Sequence, residues 1–464
     1  MEKKQEIRLA DLADQVISAV DRMKDTYGAF GAHPSQQADM SKVRSVLEDL
    51  TTRLEDNSPY FHPHYAGQML KPPHPVAMAA YLATMMINPN NHSIDGGRAT
   101  TMLEREVVKD LARMFGYPES HLGHLTWSGT TANLEALWVS REINPDLAIA
   151  HSEDSHYTHT RMAEVLNIPA ISIATDELGR MRLDDLAEKL ASGKIGTVVA
   201  TLGTTGLGAV DPLADIIPLA KQYGARVHVD TAYGGFFTLI ADELDEETAR
   251  HYRAIAQSDS VVVDPHKHGL QPYGCGAVLF NDVSIGRFYK HDSPYTYFAS
   301  EDLHFGEIQL ECSRAGASAA ALWATLQIFP LTKDGLGAVL QGGRNAAVQW
   351  HKLLSESEVL VPLQAPELDI VTYLPRASKF STVDAISHAV FEKSAQAPRD
   401  QQIHLATYVM KPQGFIRRGF EMEQDRDTAR ILRSVLMKPE QENWIPDLHS
   451  HVETLTKQLI KEHK

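Results

Sequence analysis

The sequence predicts an α/β fold, a mostly parallel sheet covered by helices, with a helical segment before it and a smaller α+β unit after it. Three observations predict this. Short β-rich runs at 197–201, 227–229 and 260–263 are separated by helical stretches such as 213–223, and strands alternating with helices build a parallel sheet clad on both faces. The chain has 464 residues, 43% of them hydrophobic, ample for a large core with a smaller domain attached. Beyond about residue 335 strands and helices mix without the earlier alternation.

In chain order, residues 1–58 read as helical, with Leu9, Leu12, Val16, Val20 and Met23 recurring at helical spacing. The stretch 58–65, Ser-Pro-Tyr-Phe-His-Pro-His-Tyr, must be irregular. An amphipathic helix is predicted over 102–115, with Leu103, Val107 and Leu111 on one face and Gly116 placed to stop it. The alternating region follows, then a long helix over 315–329 ahead of Pro330. The predicted organisation is therefore an N-terminal helical segment (1–58), a large domain (59–334) and a small C-terminal domain (335–464).

The charge balance narrows the partners. Lys and Arg total 44 against 60 Asp and Glu, a net charge of −16. Nucleic acid and anionic membranes would repel such a chain, and it has no basic patch to offset that. The N-terminus lacks an apolar signal core, and the longest apolar stretch, 76–87, falls short of a membrane span. Two cysteines, Cys275 and Cys312, support neither a disulfide framework nor a cysteine-rich zinc site. These features suggest a cytoplasmic protein.

In sheets of this kind, sites lie at the carboxyl ends of strands, and four segments there carry chemistry. Ser128-Gly129-Thr130-Thr131 leads into a helix. Its free N–H groups and hydroxyls make an anion cradle, or simply a helix cap. His151-Ser152-Glu153-Asp154-Ser155-His156 follows an apolar run. There a histidine could stack on a flat ring or serve the structure; His151, His156 and His159 cluster without metal-ligand spacing, so no metal is expected. Asp230 ends the next apolar run, where a carboxylate suits a cationic ring nitrogen or caps the turn; Ala232 is small enough to lie under the ring. Lys267, between His266 and His268, follows Val261-Val262-Val263. Neighbouring cations would weaken its basicity and free it to attack an aldehyde, unless it is a solvated loop lysine.

Taken in order, these segments resemble the group II pyridoxal-dependent amino-acid decarboxylases of fold type I. The resemblance runs over about 58–440 and includes His62-Pro63-His64-Tyr65-Ala66-Gly67-Gln68-Met69, Thr201-Leu202-Gly203-Thr204-Thr205, Pro265-His266-Lys267, Pro272-Tyr273-Gly274-Cys275-Gly276 and Arg433-Ser434-Val435-Leu436-Met437-Lys438-Pro439. It implies a seven-stranded sheet and decarboxylation of an L-amino acid, with pyridoxal 5'-phosphate held as a Schiff base on Lys267. It assigns Asp230 to the pyridine nitrogen, His156 and Ala232 to the two ring faces, and Gly129 and Thr130, with Ser128 and His266, to the phosphate. It sets Thr204 beside the ring oxygen or the stacking histidine. Substrate contacts are implied at His64, Tyr65 and Arg314, although Arg314 reads equally as a structural ion pair. Tyr295 and Tyr297 are both candidates to donate the proton, or are aromatic residues of a dimer interface. The resemblance further implies a homodimer with sites at the interface and N-terminal helices wrapped on the partner.

Two departures stand beside the lysine. Many aromatic-acid members have Asn before Pro-His-Lys and Trp after it; this chain has Asp264 and His268, which puts an aromatic substrate in doubt. The same cofactor also serves carbon–carbon lyases and aminotransferases, and a non-catalytic sensor that binds it is a remoter alternative.

Overall fold

The computed structural model describes residues 5–28, 30–290 and 309–463. The N-terminal region is two helices, α1 (Ala10–Asp25) and α2 (Met40–Leu54), rather than one continuous helical stretch. Asp39 starts α2 by accepting from the Ser41 amide. Next come α3 (Pro75–Met85), with proline at its first position, and α4 (Arg98–Met114). Val107 and Leu111 are buried on α4, and Gly116 ends it at a φ of +76° that favours glycine.

The alternating region then runs β1 (Leu122–Thr126), α5 (Gly129–Ile143), β2 (Ala148–Ser152), α6 (Thr158–Leu166), β3 (Ala170–Ile173), α7 (Leu183–Leu190), β4 (Ile195–Thr201), α8 (Leu213–Gln222), β5 (Arg226–Asp230), α9 (Glu246–Arg253), β6 (Ser260–Val263) and β7 (Gly276–Phe280). These strands form one seven-stranded sheet in the order β1-β7-β6-β5-β4-β2-β3. β7 runs antiparallel to both its neighbours and every other pair is parallel. All seven residues of β4 are buried, as a strand covered on both faces requires. Each fully buried valine of β4 and β6 contributes about 1.5–3 kcal/mol of transfer free energy, which makes the strand ends rigid supports. The register sets Thr201 of β4 opposite Asp230 of β5.

After α10 (Gly286–Tyr289), α11 (Gly316–Ile328) leads to the C-terminal elements: α12 (Ala338–Glu356), β8 (Leu360–Pro362), β9 (Ile370–Pro375), α13 (Phe380–Ala395), β10 (Ala406–Met410), α14 (Pro412–Ile416), β11 (Ala429–Val435) and α15 (Ile445–Glu462). Their strands form a four-stranded antiparallel sheet, β10-β11-β9-β8. An Arg180–Glu367 ion pair at 2.6 Å, largely buried, ties this layer to the large sheet. The 63–66 segment also joins the C-terminal layer: Tyr65 bridges to His404, and the Val435 amide donates to the Ala66 carbonyl. Among the described residues no helix is long and apolar enough to cross a membrane.

Candidate active site

Five strand ends, those of β1, β2, β4, β5 and β6, converge on a cavity of about 200 Å³ whose walls include Ser128, Gly129, His156, Asp230, Ala232 and Lys267. At the first wall, the Ser128 hydroxyl caps α5 by accepting from the Thr131 amide at 3.3 Å. The cap and the anion cradle are thus the same turn, since capping presents the helix N-terminus to the cavity. A buried relay fixes this turn to the sheet. His228 on β5 donates through Nε2 to Asn133 Oδ1 at 2.9 Å, and Asn133 Nδ2 donates to the Gly129 carbonyl at 2.8 Å. Burial pushes His228 down to about 3, so its ring stays neutral and the relay keeps one polarity. Gly129 leaves no room for a side chain without displacing Asp264: a Cβ there would lie 2.6 Å from Asp264 Oδ2.

Asp230 sits at the tip of β5 with its side chain only 6% exposed. Oδ1 accepts from the Ala232 amide at 3.0 Å, and Oδ2 faces His159 Nε2 at 2.9 Å. Burial by itself would raise this carboxyl. The His159 hydrogen bond and charge, then the Ala232 amide and Lys267, overturn that and hold it far below the usual carboxylate range. His159 appeared in the sequence only as one of a histidine cluster; on α6 it orients Asp230.

His156 ends the loop before α6. The Thr158 amide donates to its Nδ1 at 3.2 Å, and a backbone N–H can only donate, so the neutral ring carries its proton on Nε2. Burial lowers the His156 pKa, with Asp230 opposing and Lys267 assisting. The Thr158 hydroxyl also lies 3.4 Å from that of Thr130, linking this wall to the cradle.

Lys267 Nζ lies 3.0 Å from Asp264 Oδ2, so the charge nearest the amine is a carboxylate and not the histidines beside it in sequence. His266 Nε2 lies 3.5 Å from the same oxygen. His268 turns away and faces Asp369 Oδ2 at 3.2 Å.

The remaining sequence candidates are placed differently. Thr204 is fully buried, and its hydroxyl accepts from the Ala209 amide at 3.0 Å; Thr205 lines the cavity instead. Arg314 pairs with buried Glu104 at 2.8 Å, because a carboxylate inside α4 needs a cation. The structural reading of Arg314 therefore replaces the substrate-binding one. His64 is bound to Asp447 at 2.8 Å and the Tyr65 hydroxyl accepts from the Gln68 amide, so neither side chain lines the cavity. Tyr295 and Tyr297 lie outside the described residues.

One cation was missed. Arg433 on β11 is 4% exposed; its Nε donates to the Gly206 carbonyl, and its Nη2 has no hydrogen-bond partner among the described residues. Tyr233, a cavity wall, is its strongest electrostatic neighbour. The available signal was its position in the 433–439 run.

A glycine-lined anion cradle, a carboxylate held charged and an amine in one cavity fit a phosphorylated aldehyde with a basic ring nitrogen. The family model described as the pyridoxal-dependent decarboxylase conserved domain matches residues 31–363. An L-tyrosine decarboxylase of Enterococcus faecium is 26% identical over 79% of this chain and 78% of its own length. An aspartate 1-decarboxylase of Aliivibrio fischeri is 31% identical over 62% of this chain and 59% of its own. Among solved structures, mouse CSAD superposes with a TM-score of 0.77 at 22% identity, covering 98% of this chain and 93% of its own. Oryza sativa TDC, crystallised with PLP and tryptamine, gives 0.79 at 17% identity, covering 98% and 100%.

Proposed function

The chain belongs to the pyridoxal-dependent decarboxylase family and uses pyridoxal phosphate to release CO2 from an amino acid; we propose that it does so in the cavity around Lys267. The observation that carries this reading is the buried Asp230–His159 pair across the same cavity as the lysine amine. When bound, the cofactor supplies an electron sink for the carbanion that departing CO2 leaves behind.

The chain's residues do the rest. Lys267 offers the amine that holds the cofactor covalently. Asp230, kept anionic, holds a proton on the ring nitrogen and so keeps the ring electron-poor. His156 and Ala232, on the cavity wall, would hold the two faces of the ring and so fix its plane. The amides of Gly129 and Thr130 bind the phosphate, with the Ser128 hydroxyl and His266 alongside. Arg433 meets a substrate carboxylate, since a buried guanidinium with an unused Nη2 beside a cavity wall is complementary to one. Proton return to Cα is assigned to Tyr295 or Tyr297.

A second copy of the chain completes the assembly. No residue of α2 is buried, and Val46, Leu47, Leu50 and Leu54 are each about half exposed or more, a patch suited to a partner. Light scattering should give twice the chain mass. Cys275 and Cys312 are free thiols, in keeping with the reducing cytoplasm.

The test is a panel of L-amino acids that includes tyrosine and aspartate, assayed for CO2 and amine with Lys267→Ala in parallel. CO2 and amine in equal amounts are expected from at least one substrate, with neither colour nor product from the variant. A keto acid or aldehyde as sole product, or a variant that keeps colour or turnover, would overturn the reading.

A further inference from the structure

Asp264 is a carboxylate with an unusual set of neighbours. Its side chain is 4% exposed. Oδ2 lies 3.0 Å from Lys267 Nζ and 3.5 Å from His266 Nε2, and Oδ1 is buried without a hydrogen-bond partner among the described residues. A structural carboxylate in a protein interior is ordinarily saturated, because an unmet lone pair costs about 1–3 kcal/mol. Asp211 shows the ordinary case, accepting from the Met181 and Thr201 amides with its two oxygens. Asp264 instead holds its main bond to the one side chain that must lose a proton and change partner for the site to be loaded. It also lies against Gly129, whose Cβ would fall 2.6 Å from Oδ2, and lines the same cavity, where a permanent negative charge would repel an incoming phosphate.

We propose that Asp264 is the proton acceptor that activates Lys267 for covalent attachment of the cofactor aldehyde, an inference that rests on the assignment of Lys267 above. The ammonium passes one proton to Asp264 Oδ2. The neutral nitrogen then bonds the aldehyde carbon, and the aldehyde oxygen leaves as water with the two remaining amine hydrogens. The same transfer turns Asp264 into a neutral acid and removes the charge beside the phosphate. In a water-poor site the neutral acid–amine pair is favoured over the ion pair more than it is in water. The groups facing this pair are His266 and His268 on the same loop (His268 bound to Asp369), Asp230 at the tip of β5, His156 before α6, and Tyr273 and Cys275 on the strand-ward return. Among them only Asp230 is an anion, and His159 already engages it.

The consequence is a pH signature. With Asp264 present, one proton is shared within the pair, so the population of neutral amine does not change while the pair retains that proton. With asparagine in its place the amine must lose its proton to solvent, and its neutral fraction rises tenfold per pH unit. The experiment uses cofactor-stripped protein, wild type and Asp264→Asn, mixed with pyridoxal phosphate from pH 6 to 9. Attachment is followed by visible absorbance and confirmed by hydride trapping and peptide mapping at Lys267. Pyridoxine 5'-phosphate, which has an alcohol in place of the aldehyde, reports in parallel on the intact pocket. Asp264→Asn should bind the alcohol at least as well as wild type, since the substitution also removes the charge beside the phosphate. It should attach the aldehyde at least about tenfold more slowly at pH 7, within the range of a general base, and gain rate steeply with pH where wild type is flat. Parallel pH profiles, or a variant that loses the alcohol analogue equally, would overturn the proposal. Wild-type protein that traps no cofactor at Lys267 would sink the parent assignment instead.

Discussion

Replacing His159 with leucine should uncouple Asp230 from its cofactor role and leave the cavity walls in place. His159 is fully buried and, among the described residues, supplies the only side-chain hydrogen bond to Asp230 Oδ2, at 2.9 Å. Without it the carboxylate keeps the Ala232 amide on Oδ1 and the more distant charge of Lys267. A hydrogen bond to a charged group is worth about 1.5–3 kcal/mol, and that loss falls on the contact between Asp230 and the ring nitrogen. Cofactor affinity should therefore drop about 10- to 150-fold at pH 8. The pH dependence gives the sharper reading. In wild type the Asp230 pKa is depressed, so its charged form persists throughout the assay range. In His159→Leu the burial that raises this carboxyl is opposed only by the Ala232 amide and Lys267, and the charged form is lost as pH falls. The phosphate titrates in both proteins, so the ratio of the two dissociation constants isolates Asp230, and it should widen from pH 8 to pH 5.5. Fluorescence titration of cofactor-stripped protein measures it, with His159→Gln, which restores an N–H donor, recovering part of the loss. A ratio that stays constant with pH, or below about threefold throughout, refutes the assignment of His159.

Two further outcomes are expected. Gly129→Ala places a methyl group 2.6 Å from Asp264 Oδ2, and overpacking of about 1–3 kcal/mol should weaken cofactor binding about 5- to 150-fold in the same titration while the circular dichroism spectrum is retained. Arg433→Gln removes the cation but keeps donors, so steady-state kinetics with the best panel substrate should show KM raised about tenfold or more; an unchanged kcat/KM would remove Arg433 from the substrate site.

The sheet was legible because hydrophobic runs and helical periods are local properties, and β4, β5 and β6 fall within a few residues of where their apolar runs lie. Asp230 and Lys267 stood out for a related reason: an ionisable residue at or a few residues past the end of a buried apolar run is costly unless something uses it. Partner choice was not legible. His156 and His159 lie three residues apart, and only the start of α6 between them sends one to the cavity and the other to Asp230. Arg314 could not be told from a substrate-binding cation, nor Arg433 picked out at all, because their neighbours Glu104 and Gly206 are far away in sequence. Thr204 and Thr205 were separated by the backbone turn that uses the Thr204 hydroxyl to cap the Ala209 amide.

Two carboxylates at adjacent strand ends thus receive opposite instructions from their partners. Asp230 faces a histidine and a backbone amide, neither of which leaves during turnover, so its charge is fixed and suits a permanent role opposite a cationic ring. Asp264 faces the Lys267 amine, which on the proposed assignment departs into a covalent bond, and among the described residues no donor occupies its second oxygen. Exchanging these roles would fail on electrostatic grounds: a permanently charged Asp264 against Gly129 would oppose the phosphate, and a neutral Asp230 would release the ring proton. On the proposed transfer, Asp264 becomes neutral only once Lys267 has given up its proton, which couples readiness of the amine to readiness of the phosphate site.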